Sequence, residues 1–497
     1  MVNASSLAYP TYPNAIPTRF GDNDALPVST HQDETPDPGL NTGFFLKYNT
    51  SDGSLAWRKT LQGDVSLLLR SCDNGLWFLD KNNVVHAIIG FAAGTHLDGS
   101  ITVPNTYTNA YQYYLVKLQL DTNNPDNPPA VLGTPLLLPV TGGFSPYLSG
   151  SVKMIYDENL DRYYIAGRRD DTPLSYNGNP FTKDGYMLTI DGAGNELWRK
   201  EFVGTLLDHP IFGLIKDDDS NVYISGRYLK PVGSDTGVPV TFGDYTFPII
   251  YNAHNGVMVY NPFVIKMNPS GEVIWAKIPD GLSDDFGDGA HTEKAPIALN
   301  GNEIAFAKGD EYEIWGSFPM TRPENDKTDP QLVRLNKDTG EVIGTNEIHS
   351  DFGHQDELTA IATDKDGNYV VGGFFINQLF TDPGDGLDIM NTDSLSGESQ
   401  FFIAKLAKSE CGTISTEETA SEAGMQFYPN PTSDVLLIRS KKNLQSYEVH
   451  SSLGQLVKSG DFSKKESSVS LENLPAGTYY VKVKTETATV TEKVIKK

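Results

Sequence analysis

Short apolar stretches of four to six residues recur along this chain, separated by turns rich in Gly, Asn and Asp. One stretch carries a basic residue near its end: Phe44-Phe45-Leu46-Lys47-Tyr48, Tyr114-Leu115-Val116-Lys117-Leu118, Phe263-Val264-Ile265-Lys266-Met267, Leu332-Val333-Arg334-Leu335 and Phe402-Ile403-Ala404-Lys405-Leu406. A weaker copy, Tyr186 to Ile190, has Thr189 in the basic place. Successive copies are 70, 72, 77, 68 and 71 residues apart, so the chain is built from units of about 70 residues. Runs this short, rich in β-branched and aromatic residues, predict strands.

A tight turn and a second strand follow each copy. Asp52-Gly53-Ser54-Leu55-Ala56-Trp57, Ala193 to Trp198 and Ser270 to Trp275 share the pattern, and Thr339 to Gly344 matches it up to the aromatic. Glycine supplies the positive φ that such hairpin turns need. Unit two replaces the hairpin with a longer loop, Asp121 to Pro129. A third element is an acidic turn leading into a strand that ends in glycine, as in Asp217 to Gly226 and Asp364 to Gly373, with looser versions at Asp80 to Gly90 and Asp157 to Gly167. Asn and Asp favour these turns because they tolerate the left-handed region and bond their own backbone. Each unit thus holds about four short strands and no convincing helix. The fold class expected is all-β.

These repeats resemble those of bacterial β-propellers with F-x-x-K, G-x-x-x-W and D-x-D-G-N-x-Y-x-x-G signatures, over about residues 20–410. The resemblance implies one four-stranded blade per unit and says almost nothing of function; solenoid stacking is the structural alternative. Phe20-Gly21-Asp22 ahead of the first copy mirrors Phe242-Gly243-Asp244 ahead of another. Residues 1–43 are therefore read as the tail of a preceding unit and 44–408 as the propeller repeats. The start of the chain carries no charged and apolar leader, so upstream residues are expected to be missing.

Residues 409–426 are small, polar and acidic and read as a linker. Behind them, 427–497 holds six or seven short strands, the pattern of a small Ig-like β-sandwich. Four separated motifs run in order: Tyr428-Pro429-Asn430-Pro431, Leu453-Gly454-Gln455, Leu474-Pro475-Ala476-Gly477-Thr478-Tyr479-Tyr480 and the terminal Lys493-Val494-Ile495-Lys496-Lys497. This segment resembles the type A C-terminal sorting domains of the type IX secretion system of Bacteroidota. The resemblance implies export across the outer membrane by that machinery, removal of the domain near the linker, and release or attachment to surface lipopolysaccharide. The residues carrying it are Tyr428, Pro429, Asn430, Pro431, Gly454, Pro475, Gly477, Lys493 and Lys496.

Charge sharpens the division. The chain carries 39 Lys and Arg against 64 Asp and Glu, a net of −25. Residues 427–497 hold 11 basic and 7 acidic residues, leaving +4 there and −29 on the rest. So acidic a body repels phosphate backbones, and no nucleic-acid partner is expected. No apolar run reaches the length of a membrane-spanning helix. Cys72 and Cys411 could form one bridge or stay as two buried thiols.

Candidate chemistry is sparse. His349, Asp351, His354, Asp356 and Glu357 form the densest cluster, read as a solvated loop rather than a zinc site because adjacency alone does not converge ligands. The Asp217 and Asp364 turns lack the twelfth-position glutamate of a calcium loop. The acidic loop with Asp284, Asp285 and Asp288 could hold calcium weakly; no other cofactor is expected. Trp57, Trp198 and Trp275 share one repeat position, which favours packing between units over a sugar platform. Quinone-dependent propeller enzymes also carry such tryptophans, but the vicinal cysteine pair is missing. No catalytic constellation stands out, and the chain is read as an exported binder of a glycan, lipopolysaccharide or protein. A hydrolase working at the propeller's mouth and a purely structural surface protein are the alternatives.

Overall fold

The computed structural model describes residues 2–7, 41–66, 75–106, 111–144, 152–169, 173–183, 185–204, 211–229, 239–248, 260–282, 296–310, 313–318, 328–351, 356–382, 387–392, 399–406, 425–451, 456–462, 464–485 and 489–497. The chain forms two compact units, Met1–Leu406 and Ala407–Lys497. Every sheet is antiparallel, and no helix occurs among the described residues.

Among the described residues, six main sheets follow one another along the first unit, each a meander, and four smaller sheets of two or three strands accompany them. The first orders Val2–Leu7, Asn41–Tyr48 and Leu55–Thr60. The second runs Trp77–Leu79, Val84–Phe91, Gln112–Gln119 and Leu136–Leu137. The third runs Lys153–Asp157, Arg162–Arg168, Gly185–Asp191 and Glu196–Val203, and carries a further small hairpin on its last strand. The fourth runs Ile211–Lys216, Val222–Leu229, Tyr260–Met267 and Val273–Lys277. The fifth runs Ile297–Asn300, Glu303–Asp310, Asp329–Asn336 and Val342–Glu347. The sixth orders Glu357–Thr363, Tyr369–Phe375 and Gln400–Leu406.

Alternation of side chains explains how these sheets stack. Tyr163 packs toward the second sheet with Ile88 and Leu115, while its neighbour Tyr164 packs toward the fourth with Ile224 and Ile265. Tyr223 faces the fifth sheet with Ile304 and Val333, and Ala305 faces the sixth with Leu358 and Val371. Phe45 and Trp57 of the first sheet meet Val85 and Ile89 of the second. Five apolar cores thus lie between successive sheets. Inner strands are covered on both faces, so Val84–Phe91 is buried throughout and apolar at every position except His86. From the second sheet onward, the first strand of each sheet lies against the first strand of the next.

The acidic turns close the first hairpin of a sheet. Asp217 Oδ1 accepts from the Asp219 and Asn221 amides at 3.0 and 2.8 Å, and Asp364 Oδ1 accepts from Asp366 and Asn368, both at 2.9 Å. Their carboxylates accept from the backbone amides of the turn they begin. The glycine ending the second strand serves close approach. A Cβ on Gly373 would lie 2.0 Å from the Glu357 carbonyl oxygen, so a side chain there would push the first two strands of the sixth sheet apart.

The second unit has two sheets enclosing one core. Gln426–Tyr428, Val435–Arg439 and Glu466–Ser470 form one; Leu456–Asp461, Leu444–Ser451, Gly477–Thr485 and Thr489–Lys496 form the other. Leu436, Ile438, Val449, Val481, Val483 and Val494 meet between them.

Candidate functional site

Each unit of the body reaches into the next through the residues that mark the repeat. Lys266 and Trp275 sit directly across from each other on the third and fourth strands of the fourth sheet. Lys266 Nζ and Trp275 Nε1 both donate to the Lys337 carbonyl, each at 3.1 Å, in the hairpin turn of the fifth sheet. One unit earlier, Trp198 Nε1 donates to Pro269 O at 3.0 Å; Thr189 has replaced the lysine there, and Arg162 supplies the second donor at 3.0 Å. Lys47 of the first unit likewise donates to the Pro125 carbonyl. Beneath the indoles of Trp198 and Trp275 lies the glycine of the next turn. Gly340 has φ +72°, and a Cβ on it would be 2.7 Å from the Trp275 ring. Trp198 and Trp275 are therefore staples between successive sheets, each half-buried with the next turn's glycine against its ring.

Three carboxylates, Asp329, Asp351 and Asp356, gather between the fifth and sixth sheets. Ser350 Oγ donates to Asp329 Oδ1 at 2.5 Å. Asp351 accepts from the Gln378 amide at 3.2 Å, and Asp356 Oδ1 from the Ile376 amide at 2.7 Å. Asp356 is fully buried, and its Oδ2 has no hydrogen-bond partner among the described residues. Burial, with the nearby charges of Asp329 and Asp351, pushes the Asp356 carboxyl up to about 7 against the opposing hydrogen bond from the Ile376 amide. No three His, Cys, Asp or Glu groups among the described residues are placed to hold a metal ion. His354, the calcium candidates Asp284, Asp285 and Asp288, and both cysteines lie outside the described residues.

Sequence reasoning missed one polar network. His86 Nδ1 lies 2.7 Å from the Tyr163 hydroxyl, its Nε2 lies 3.3 Å from Asp80 Oδ2, and Tyr156 stacks on the ring at 4.1 Å. Burial lowers the His86 pKa, with Asp80 acting in the opposite direction. The network ties the second sheet to the third. Its one trace in the sequence is Asp80 at an acidic turn; nothing local pairs that turn with a tyrosine 83 residues further on.

In the second unit the predicted motifs converge. Tyr428-Pro429-Asn430-Pro431, with both prolines cis, lies along the outer edge of the terminal strand. Asn430 Nδ2 donates to Lys493 O at 2.6 Å, and its Oδ1 accepts from the Ile495 amide at 2.9 Å. Thr432 N donates to Ile495 O at 2.8 Å, and Lys497 N to Thr432 O at 2.9 Å. Lys496 turns inward, is nearly buried, donates to the Ser433 carbonyl and lies 3.6 Å from Asp434. Tyr479 OH donates to the Pro475 carbonyl at 2.8 Å, fixing the turn that precedes the Gly477–Thr485 strand. Gly454 lies outside the described residues. Asn430→Ala removes two hydrogen bonds and exposes the terminal strand's edge. It is expected to cost the second unit about 2 kcal/mol, read as faster amide hydrogen exchange at Ile495.

A two-sheet unit whose last strand is clipped by a Tyr-Pro-Asn-Pro turn is what the comparisons identify as an export tag. Residues 426–497 match the family of the secretion system C-terminal sorting domain. The chain is therefore a cargo of the type IX secretion system, delivered to the extracellular space or the cell surface. No curated protein matches it. Among solved structures it is similar to the quinohemoprotein alcohol dehydrogenase of Comamonas testosteroni, at 12% identity and a TM-score of 0.26, over 67% of this chain and 52% of that one. This chain thus spans about half of that enzyme's length. PorZ of Porphyromonas gingivalis, an essential surface component of the type-IX secretion system, is 10% identical with a TM-score of 0.17, over 95% of this chain and 76% of that one. A family 32 glycoside hydrolase from Bifidobacterium adolescentis is 10% identical with a TM-score of 0.24, over 93% and 85%. Likenesses this remote carry no argument about function. No helix among the described residues is long and apolar enough to cross a membrane.

Proposed function

We propose that the body, residues 44–408, is a β-propeller that binds a glycan or protein partner outside the cell, with residues 427–497 as its sorting signal behind a 409–426 linker. The observation that carries the export half is the separate folding of a unit matching a sorting domain, with the Tyr428–Pro431 turn bonded to the terminal strand. Serial meanders, stacked face to face with their first strands side by side, support the propeller. For the body, binding is favoured over hydrolysis by the position of Asp356. Among the described residues the carboxyl raised to about 7, Asp356, is fully buried between sheets, away from any substrate. Tyr428, Pro429, Asn430, Pro431, Gly454, Pro475, Gly477, Lys493 and Lys496 are the residues assigned to sorting, and weak calcium binding by Asp284, Asp285 and Asp288 belongs to the same reading of the body.

The test uses the chain behind a periplasmic leader in a host with type IX secretion. The full chain is expected in the medium or on the surface, and a chain lacking residues 426–497 in the periplasm. Equal export of both would end the sorting assignment. The exported body should bind on a glycan or surface-protein array without turning over polysaccharide or peptide; turnover would replace the binding reading with the hydrolase.

A further inference from the structure

We propose that the export machinery reads the side chains of Lys493, Ile495 and Lys497 as one outward row, seated in an acidic protein groove with an apolar floor. This rests on the sorting reading above and names what that domain presents.

The terminal strand has two ways to be recognised: by its backbone edge or by its side chains. The edge is closed at its last residues. One side of Thr489–Lys496 pairs with Gly477–Thr485. On the other side, Lys493 O and Ile495 N are held by the Asn430 amide, and Ile495 O and Lys497 N by the backbone of Thr432. Those four groups would be the ones to pair with an added strand, so strand addition at this end requires the clip to open first.

The side chains divide by alternation. Val494 and Lys496 point inward, Val494 into the core and Lys496 onto Ser433 and Asp434. Lys493, Ile495 and Lys497 are exposed on the opposite face, Ile495 with 43% of its surface open. Adjacent members of the row are about 7 Å apart. Across the ladder stand Tyr480 opposite Lys493 and Thr478 opposite Ile495, with no carboxylate at either place.

Two ammonium groups flanking an isoleucine define the partner's chemistry. Phosphate-bearing glycans would satisfy the lysines and leave Ile495 in water; a protein groove satisfies all three. Charge also orients the encounter. An acidic receptor attracts residues 427–497, at +4, and repels a remainder at −29.

The experiment again uses the full chain behind a periplasmic leader. K493E/K497E should lower the exported fraction by roughly tenfold, the equivalent of about 1.4 kcal/mol of lost recognition. I495S should lower it severalfold. The pair K441E/K442E makes the same charge change at the start of the Leu444–Ser451 strand and should export as the parent does. Protease resistance of the second unit shows that each variant folds; K493Q/K497Q, which removes charge without reversing it, should also lose export and serves if the glutamate pair does not fold. Normal export of a folded K493E/K497E or K493Q/K497Q chain overturns the proposal, as does equal loss in K441E/K442E. Normal crossing followed by loss from the cell surface overturns it in favour of an anionic glycan. Deletion of residues 426–497 in the same host separates these outcomes from failure of the sorting reading: with deletion blocking export and the row variants exporting normally, only the row is wrong.

Discussion

Asp356→Asn should make the body more stable above neutral pH and leave it nearly unchanged near pH 4. In the folded chain the Asp356 carboxyl is pushed up to about 7 from an ordinary 3.8, first by burial and then by Asp329 and Asp351. Between those two values the folded state holds one more proton at this site than the unfolded chain. Stability therefore falls as pH rises through this window, and the loss is complete once pH exceeds about 7. The shift corresponds to roughly 4 kcal/mol, an upper bound because the unfolded reference and local relaxation both reduce it. Asparagine keeps an oxygen to accept the Ile376 amide and puts an NH2 where Oδ2 lacks a partner, without the charge. Urea unfolding of parent and variant at pH 4, 6 and 8 checks this. All five tryptophans lie in the body, so their fluorescence reports it alone. Other carboxylates, such as Asp80 and Asp217, are shifted downward by hydrogen bonds, but they are common to both proteins and cancel in the difference. Parallel stability curves across pH would show that Asp356 is ionised at little cost.

Trp275→Ala should be the most damaging single change at a repeat position, at about 3 kcal/mol for the lost packing and indole hydrogen bond. Trp275 packs, half-buried, against the core between the fourth and fifth sheets, and its ring nitrogen holds the Lys337 carbonyl. The substitution removes the contact from both sheets at once, and Lys266 alone remains on that carbonyl. Gly340→Ala attacks the same contact from the other side. Its Cβ would meet the indole at 2.7 Å in a backbone conformation that suits glycine, for a cost on the order of 1–2 kcal/mol. Because both changes break one contact, the double variant should lose less than the sum of the singles. A change of under about 0.5 kcal/mol in the Trp275→Ala unfolding free energy would place the tryptophan among ordinary surface residues.

Much of this protein was legible in its residues. The copies of F-x-x-K and G-x-x-x-W mark third and fourth strands because strand alternation and glycine turns are local properties, decided within a few residues. The acidic turns were legible for the same reason, since Asp217 and Asp364 bond amides two and four positions on. The export tag was legible as well, because its motifs keep their order to the last residue.

Only the tertiary structure decided which distant residues those local elements meet. It set Trp275 on a turn 62 residues further along, surrounded Asp356 with Asp329 and Asp351, joined His86 to Tyr163, and clipped Asn430 to a strand 63 residues away. It also turned Lys496 inward while leaving Lys493 and Lys497 outside. Periodicity says that a residue faces a neighbour, but the neighbour's identity depends on how whole sheets stack. Charge, burial and hydrogen bonding at these sites are sums over that stacking, and no stretch of sequence contains them.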